Sequence, residues 1–444
     1  MKKQRVTKKQ KRQAARFRAL SVRIFAALMV LGGLLGLMFF VRPDTSDVEK
    51  RKLTEFPKIT LSALWNGEFF SDLSLWYSDT FPMRDALIAA DHKMESIYGV
   101  KTSTMMVGNQ KQSDDIPDKK KKESGGAKKA EEVKEISAPD SREMEAEIQN
   151  QIQDSLYVKD GAAYTIYYYD QESADIYTAA LSNAAAKLKG DTDIYSILVP
   201  NSTGVVLPEE EQAKLAGADE KQAIDYYYSL MDGVKKIDTI DTLRKHRDEY
   251  LYFRTDHHWT QLAAYYVYLN FCEEKGLEPN DLSEFDKMTF SPFLGTFYQE
   301  LQNADMAANP DSVDAYVPMA TNDMTYTDTD GSEVKWHVIE DVSSWNESSG
   351  YYCYIGGDKP LSVIENPTLD DGSSCLVVKE SYGNCFIPFL VDHYQTVYII
   401  DFRYAQNNVM DFVKEHQIQD LIIMNNISII GSKDVATTIA GLLQ

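Results

Sequence analysis

The chain has 444 residues, of which 43% are hydrophobic and 11% aromatic, and this composition supports a large folded core and excludes a wholly disordered protein. Its formal net charge of −22 argues against nucleic acid or another polyanion as a partner. The four cysteines all lie in the C-terminal half, without the spacing of a metal site. Cys272 and Cys375 are predicted to be buried thiols, whereas a disulfide at Cys353 is left open.

The N-terminus predicts a membrane anchor. Residues 1–23 hold ten Lys or Arg and no acid, and residues 24–41 are eighteen uncharged positions. At about 1.5 Å rise per residue, a helix of that length covers roughly 27 Å of bilayer. A cleaved signal peptide would have a shorter apolar region ending in small residues, whereas this one ends FFVRPD. We therefore expect one uncleaved span in the cell membrane, a cytoplasmic basic tail and an extracytoplasmic remainder. Removing the ten positive charges from −22 leaves that remainder near −32.

Composition divides the remainder into three segments. Residues 42–108 alternate turn residues with apolar residues at helical spacing and are interpreted as short juxtamembrane helices. Residues 109–146 contain almost no large apolar side chain, so they cannot bury enough surface to offset the entropy of ordering. This segment is predicted to be a disordered charged insertion. Residues 147–444 are predicted to form the main domain.

The main domain alternates apolar runs with amphipathic stretches. SLYVKDGAAYTIYYYD predicts a strand pair, and further strands are predicted at DIYSILVP, YLYFRT, SSCLVVK, TVYIID and DLIIMNN. Helices are predicted at SADIYTAALSNAAAKLKG, EKQAIDYYYSLMDGV and QLAAYYVYLNFCEEKG, the last running from a cap at Thr260 to Gly276. Short apolar strands separated by helices indicate an α/β fold, with a mainly parallel sheet covered on both faces. Such sheets bind ligands at the carboxyl ends of their strands.

Polar residues follow three of the predicted strands. They are Asp256, His257, His258 and Trp259 after YLYFRT, Ser381, Tyr382, Gly383 and Asn384 after CLVVKE, and Asn425 and Asn426 after LIIM.

The first two groups together predict a site for acyl transfer. In an extended strand, alternate residues share a face, so Asp256 and His258 are expected to lie together while His257 points away. A carboxylate holds a neighbouring imidazole in one tautomer and stabilises the imidazolium. Ser381 would supply a nucleophile on a tight turn eased by Gly383, and the following helix would offer free N–H groups to an oxyanion.

Each of these residues taken alone also has a purely structural interpretation. An Asp-x-His pair at a helix start is commonly a cap and a packed imidazole, and a serine in ESYG is commonly an ordinary turn residue. Their joint placement at strand ends is what favours catalysis. A metal site is not expected, because adjacent side chains on a strand diverge and the other histidines are distant in sequence. No cofactor is predicted.

The stretch YLYFRTDHHWTQLAAYYVY resembles the signature of the DHHW family of bacterial exported proteins. RKLTEFP before it, and SPFLGTFY, KESYGNCFIPFL and IIDFRYA after it, fall in the family's usual order. That family is similar to the SGNH-hydrolase-like acetyltransferases of alginate modification, in which a D-x-H-W motif precedes the catalytic serine. The resemblance implies a three-layer α/β/α sandwich with a permuted motif order. It also implies Asp256 as the acid, His258 as the base and Ser381 as the nucleophile. Candidates for binding the oxyanion or the substrate are Asn384, Asn425, Asn426, Arg403, Trp259 and Tyr382.

The expected function is that of a membrane-anchored, extracytoplasmic serine O-acyltransferase or acetylesterase acting on a cell-envelope polysaccharide. A catalytically inactive SGNH-like carbohydrate-binding or assembly module is the alternative. An enzyme outside the membrane has no direct access to cytoplasmic acyl donors. A transferase would therefore need a multispanning membrane protein that delivers the acyl group, whereas a hydrolase would not.

Overall fold

The computed structural model describes residues 45–46, 51–52, 56, 73, 76–77, 80–81, 104–108, 111, 113–117, 141–153, 155–405 and 408–444. The chain divides into two units, residues 1–99 and residues 100–444. In the first unit, strand β1 (Thr45–Ser46) pairs antiparallel with strand β2 (Arg51–Lys52). The predicted membrane helix at 24–41 lies outside the described residues. None of the helices that the structure describes is long and apolar enough to span a bilayer.

The second unit contains the strands and helices that build the main domain. Its strands are β3 (Thr104–Gly108), β4 (Ser155–Lys159), β5 (Ala162–Thr165), β6 (Asp193–Val199), β7 (Lys235–Lys236), β8 (Asp286–Phe293), β9 (Asp311–Val317), β10 (Asp323–Thr327), β11 (Glu333–His337), β12 (Leu361–Glu365), β13 (Ser374–Lys379), β14 (Thr396–Asp401) and β15 (Asp420–Asn426). Its α-helices are α1 (Ser141–Gln153), α2 (Gln171–Lys187), α3 (Ser202–Val205), α4 (Glu209–Gln212), α5 (Glu220–Leu230), α6 (Ile240–Lys245), α7 (Gln261–Lys275), α8 (Thr296–Leu301), α9 (Ala304–Ala308), α10 (Val409–Glu415) and α11 (Lys433–Leu442). Short 3-10 helices span Leu282–Glu284, Gly350–Cys353, Ser381–Gly383, Ile387–Leu390 and Ile429–Gly431.

An eight-stranded mixed sheet forms the centre of the fold, with the strand order β11-β10-β12-β14-β13-β15-β6-β7. The strands from β14 to β7 run parallel, whereas β12, β10 and β11 are antiparallel to their neighbours. The expected mainly parallel sheet is therefore only part of a mixed one. β13 and β15 are buried at every position and have apolar runs, whereas β10 and β11 alternate in burial and contain no such run.

Helices contact both faces of this sheet. Tyr177 of α2 donates a hydrogen bond to Asn425 Oδ1 (3.0 Å), and Lys275 at the end of α7 pairs with Asp420 (2.7 Å). Asn425 and Asp420 are five positions apart on the extended strand β15, so their side chains lie on opposite faces. Helix α7 begins after the Thr260 cap and ends at Gly276, which has a φ of +79°, as the sequence predicts.

The prediction of a strand at YLYFRT is wrong. Tyr252 makes one isolated antiparallel bridge to Trp259, and the residues between them form a loop. The buried Asp311 carboxylate explains the loop, because it accepts hydrogen bonds from Arg254 N (3.0 Å), Thr255 N (2.7 Å) and Thr255 Oγ1 (2.7 Å). These bonds replace those of a sheet partner. The DHHW stretch therefore does not follow a strand of the sheet, whereas Ser381 does follow β13 and the asparagine pair ends β15.

Ordered structure extends into both ends of the predicted insertion. Asp114 N–H donates to Tyr169 O (2.9 Å). At the other end, α1 begins before residue 147, because Met144 is buried together with Ile148 at helical spacing. Strand β3 pairs with β4 and so belongs to this unit rather than to a juxtamembrane segment. Residues 109, 110, 112 and 118–140 lie outside the described residues.

The four cysteines, all within the described residues, are buried and free. The prediction of buried thiols at Cys272 and Cys375 is confirmed. Cys353 forms no disulfide in the structure, which answers the question that the sequence left open.

Candidate active site

The DHHW loop and the turn after β13 meet at three side chains. Ser381 Oγ lies 2.8 Å from His258 Nε2, and His258 Nδ1 lies 2.6 Å from Asp256 Oδ1. Asp256 Oδ1 also accepts the His258 backbone N–H (2.9 Å). The ionised carboxylate accepts only, so His258 Nδ1 carries the proton and Nε2 accepts from the serine hydroxyl. Asp256 and His258 are buried, whereas Ser381 is half-buried.

The turn that carries Ser381 is tightly packed. Ser381 begins a 3-10 helix, and a Cβ at Gly383 would lie only 2.7 Å from Lys379 Cβ. The glycine is thus required for close approach of the backbone. Tyr351 donates its hydroxyl to Ser381 O (3.0 Å), and its ring stacks on the His258 imidazole with centroids 3.8 Å apart. Tyr351 therefore holds both the turn and the imidazole.

Asp256 is held on its other oxygen by Thr296. Asp256 Oδ2 accepts the Thr296 backbone N–H (2.9 Å) and hydroxyl (3.1 Å). A Cβ at Gly295 would overlap the Asp256 side chain, so this approach requires glycine. Burial acts to raise the pKa of Asp256, but the neighbouring imidazoles of His258 and His257 and these hydrogen bonds hold it well below its usual range. The carboxylate is therefore ionised at neutral pH.

His257 does not point away from Asp256, and that expectation is wrong because the loop is not an extended strand. Its ring centroid is 3.8 Å from that of His258, and its Nδ1 is 3.9 Å from Asp256 Oδ1. His257 Nδ1 is hydrogen-bonded to Thr296 Oγ1 (2.7 Å). Since that hydroxyl donates to Asp256, His257 Nδ1 must be the donor. Burial, followed by the nearby His258, lowers the pKa of His257 to about 3, so its ring is neutral.

Asp256, His257 and His258 nevertheless converge enough to resemble a metal site, with one possible ligand atom from each lying within 4.8 Å of the others. The divergence on which the sequence argument relied is therefore absent. The atoms that could bind a metal already form hydrogen bonds with one another, with Thr296 and with Ser381. A cation would have to displace several of these hydrogen bonds, so the arrangement does not fit a resident metal. That the site uses no metal stays a prediction.

Trp259 and Tyr382 connect the loop to the turn. Trp259 Nε1 donates to Tyr382 O (2.8 Å), and the Tyr382 hydroxyl donates to His257 O (2.5 Å). Both side chains are fully buried. The Trp259 indole N–H and the Tyr382 hydroxyl therefore donate to main-chain oxygens and are not exposed to a substrate.

Neither asparagine of β15 presents an open amide at Ser381. Asn425 contacts Tyr177 of α2 through Oδ1, and its Nδ2 is buried without a partner among the described residues. Asn426 Nδ2 donates to Val199 O (3.2 Å) and to Asn201 Oδ1 (3.1 Å). The side-chain amides of Asn425 and Asn426 are therefore both enclosed in the protein interior.

Asn384 and Arg403 belong to a charge cluster centred on the half-buried Asp358. Arg403 Nη2 lies 2.7 Å from Asp358 Oδ2, and Asn384 Nδ2 lies 3.1 Å from Asp358 Oδ1. Lys379 Nζ bridges Asp358 (2.8 Å) and Asp401 (3.0 Å). Burial acts to raise the pKa of Asp358, but Arg403 and then Lys379 hold it well below its usual range. The cluster therefore pairs two cations with two carboxylates.

The backbone N–H groups of the turn are mostly occupied. Tyr382 N donates to Glu380 Oε2 (2.8 Å), Gly383 N to Glu380 O (2.9 Å) and Asn384 N to Ser381 O (3.1 Å). In the part of the chain that the structure describes, the Ser381 N–H has no such acceptor. Of the four N–H groups from Ser381 to Asn384, only that of Ser381 is therefore left without an acceptor among the described residues.

Several residues that shape the site were missed by sequence reasoning. Glu380 lies inside KESYGN, and Gly295 and Thr296 lie inside SPFLGTFY, so the stretches that carry the family resemblance contained a signal for them. The sequence held no signal for Asp311 or Tyr351, since only the tertiary structure brings them to the loop.

The chain is thus a mixed α/β protein with a hydrogen-bonded serine–histidine–aspartate site beside its central sheet. The model of the DHHW protein family matches residues 49–154 and 128–400. Because this match covers most of the chain, the chain belongs to the DHHW family, which confirms the resemblance found in the sequence.

Solved structures share the fold. A DHHW family protein from Eubacterium siraeum DSM 15702 is 27% identical, with a TM-score of 0.58, and the match covers 64% of this chain and 94% of that one. Bacillus cereus PatB1 is 19% identical, with a TM-score of 0.55, over 63% of this chain and 98% of that one. PatB1 was also solved with a sulfonyl adduct. No curated protein matches this chain.

Proposed function

We propose that this DHHW family member is a serine O-acyltransferase or acetylesterase that acts on a cell-envelope polysaccharide. The observation that carries the proposal is the series Ser381–His258–Asp256, with separations of 2.8 Å and 2.6 Å. Both lie within the hydrogen-bond reach of about 2.6–3.2 Å that a nucleophile and its base require. The ionised Asp256 is suited to stabilise the imidazolium that forms.

The first half-reaction forms an acyl-enzyme. His258 Nε2 takes the proton of Ser381 Oγ while Oγ bonds to the carbonyl carbon of the acyl donor. The carbonyl oxygen becomes an oxyanion, to which the Ser381 N–H is available as a donor. The bond between the carbonyl carbon and the leaving oxygen then breaks, and His258 returns the proton to that oxygen. Asp256 stays ionised throughout.

The second half-reaction releases the acyl group. His258 takes a proton from an incoming hydroxyl, whose oxygen attacks the acyl carbon, and the proton finally returns to Ser381 Oγ. Water as the acceptor gives the free acid, and a sugar hydroxyl gives an acylated glycan. The same three residues serve both outcomes, so access of the acceptor decides between hydrolase and transferase.

The fold we propose in detail is an SGNH-hydrolase-like α/β/α sandwich with permuted motif order. Helices contact both faces of the sheet, and Asp256 and His258 precede Ser381 along the chain. In this arrangement the nucleophile follows β13 rather than the first strand of the sheet.

The proposed location is the cell membrane, with a lipid-embedded helix at 24–41 and the main domain outside. It rests on the ten basic residues before the apolar run. A transferase in that location needs a multispanning membrane protein as its acyl donor. Release of a soluble chain lacking residues 1–41 into the medium would contradict the anchor.

The test of activity compares the full chain with Ser381→Ala, using a chromogenic acetyl ester and phenylmethanesulfonyl fluoride. We expect Ser381→Ala to lose turnover by about a thousandfold or more and to lose the covalent sulfonyl label, with Tm nearly unchanged. Ser343→Ala, at an exposed serine, is the matched control and should behave as wild type. A folded wild-type chain that neither hydrolyses the ester nor takes the label would favour the inactive binding or assembly module.

A further inference from the structure

The carboxyl group of Glu380 is fully buried directly beside the nucleophile, with 0% of the residue exposed. Its Oε2 accepts the Tyr382 N–H (2.8 Å), and its Oε1 accepts the Asn426 N–H (2.8 Å). Tyr382 lies in the turn after β13, whereas Asn426 ends the neighbouring strand β15. One carboxylate therefore joins the serine turn to the adjacent strand of the sheet.

This connection has two effects on Ser381. The residues on either side of Ser381 are fixed by it, since Glu380 supplies the carboxylate and Tyr382 donates to it. It also engages the Tyr382 N–H, the donor that directly follows the nucleophile. Among the described residues, the Ser381 N–H has no acceptor and is available as a backbone donor beside the nucleophile.

We propose that Glu380 is a positioning residue for Ser381: its carboxylate holds the Tyr382 and Asn426 N–H groups and so sets the direction of Ser381 Oγ toward His258. This inference rests on the proposed function, because it concerns the same nucleophile.

A purely structural role explains poorly why a carboxyl group is buried here. Burial raises the pKa of Glu380 to about 7, against the opposing effects of the two backbone N–H groups, Arg403 and His258. A buried carboxylate costs free energy that an amide or an apolar side chain would avoid. A carboxylate has two oxygens that accept only, whereas glutamine has one acceptor, so the carboxylate alone can hold both N–H groups.

Glu220 provides the matched control. It is also buried, its Oε2 accepts the Asn201 backbone N–H (2.7 Å), and burial raises its pKa to about 8. Its hydrogen bond is made to the segment after β6 and not to the serine turn. Glu220→Gln therefore removes a buried carboxyl group that has no hydrogen bond to the serine turn.

The experiment measures kcat and KM for p-nitrophenyl acetate, the rate of labelling by phenylmethanesulfonyl fluoride, and Tm, all on the full chain. We expect Glu380→Gln to lower kcat and the labelling rate together by about 10- to 100-fold, with KM within about threefold, because a misplaced nucleophile loses rate rather than ground-state binding. Glu380→Asp keeps both acceptors on a shorter side chain and should recover part of the rate. Glu220→Gln should stay within about threefold of wild type in both rates.

The outcomes separate the inference from the proposed function. A wild-type chain without turnover or labelling would overturn both. An active wild type with Glu380→Gln within threefold of it would overturn the inference alone. Equal losses in Glu380→Gln and Glu220→Gln that follow their Tm values would also overturn it, in favour of a structural role. Should Glu380→Gln fail to fold, Glu380→Asp decides, since a folded Asp variant with unchanged rates would contradict positioning.

Discussion

Trp259 donates its indole N–H to the main-chain oxygen of Tyr382 at 2.8 Å, across 123 positions of sequence. Tyr382 in turn donates its hydroxyl to the main-chain oxygen of His257. These two buried bonds hold the loop that carries His258 against the turn that carries Ser381. The short Ser381–His258 separation therefore depends on a contact that itself takes no part in proton transfer.

Trp259→Phe tests this connection, because phenylalanine keeps an aromatic ring but removes the donor. Among the described residues, the Tyr382 oxygen would then keep the weak Cys385 thiol contact at 3.8 Å alone. We expect the free energy of unfolding to fall by about 1–3 kcal/mol and kcat for a small ester to fall by about tenfold. Urea unfolding and ester hydrolysis provide the two measurements. Trp345→Phe, at a tryptophan that is 45% exposed, should change neither, and equal effects of the two variants would contradict the prediction.

The centre of the fold was predictable because burial there is uniform. β6, β13, β14 and β15 give apolar runs, and α7 has a readable cap at each end. The antiparallel strands β10 and β11 give no such run. The shape of the DHHW loop was not predictable at all, because it is set by Asp311, 57 positions after Arg254.

The candidate site likewise has one part that the sequence predicts and one part that it does not. Residue types and order were enough to select Asp256, His258 and Ser381, since their chemistry limits what they can do together. The direction of His257 and the roles of Thr296, Tyr351 and Glu380 depend on contacts across the fold. Glu380 and Thr296 lie inside stretches that carry the family resemblance, but those stretches do not indicate which residues they contact.

The two adjacent histidines should differ sharply on substitution. His258→Ala removes the base and should lower kcat by about a thousandfold or more. His257→Ala removes a neutral ring that packs on His258 and bonds to Thr296, so we expect a folded chain with about a tenfold loss. Steady-state ester hydrolysis distinguishes them. The reverse order of the two losses would overturn the assignment of His258 as the base.

Tyr352 should affect a polymeric substrate more than a small one. It follows Tyr351, whose ring covers His258, and it is 49% exposed. A tyrosine presents a large apolar face with a polar tip, which suits packing against a sugar ring. We expect Tyr352→Ala to raise KM for an acetylated polysaccharide by about tenfold, or roughly 1.4 kcal/mol of binding, while p-nitrophenyl acetate is unaffected. Tyr352→Phe keeps the ring and should resemble wild type. Equal losses on both substrates would instead indicate a disturbed catalytic site.

The buried Glu220 carboxyl should make a contribution to the stability of the domain that falls as the pH rises. Burial raises the pKa of Glu220 from 4.5 to about 8 in the folded chain. Between these values the native state keeps a proton that the unfolded chain has released, so the native state binds more protons and stability decreases with rising pH. At about 1.4 kcal/mol per pKa unit, Glu220→Gln should flatten the profile by roughly 2–4 kcal/mol between pH 5 and pH 8. Glu380 adds a slope of the same sign up to about pH 7, because burial raises its pKa to about that value, whereas His257 adds a slope of the opposite sign up to about pH 6.5, because burial lowers its pKa to about 3. Urea unfolding at several pH values measures the profile, with Glu210→Gln at an exposed position as the control. Parallel profiles for wild type and Glu220→Gln would show that the Glu220 carboxyl does not hold this proton in the native state.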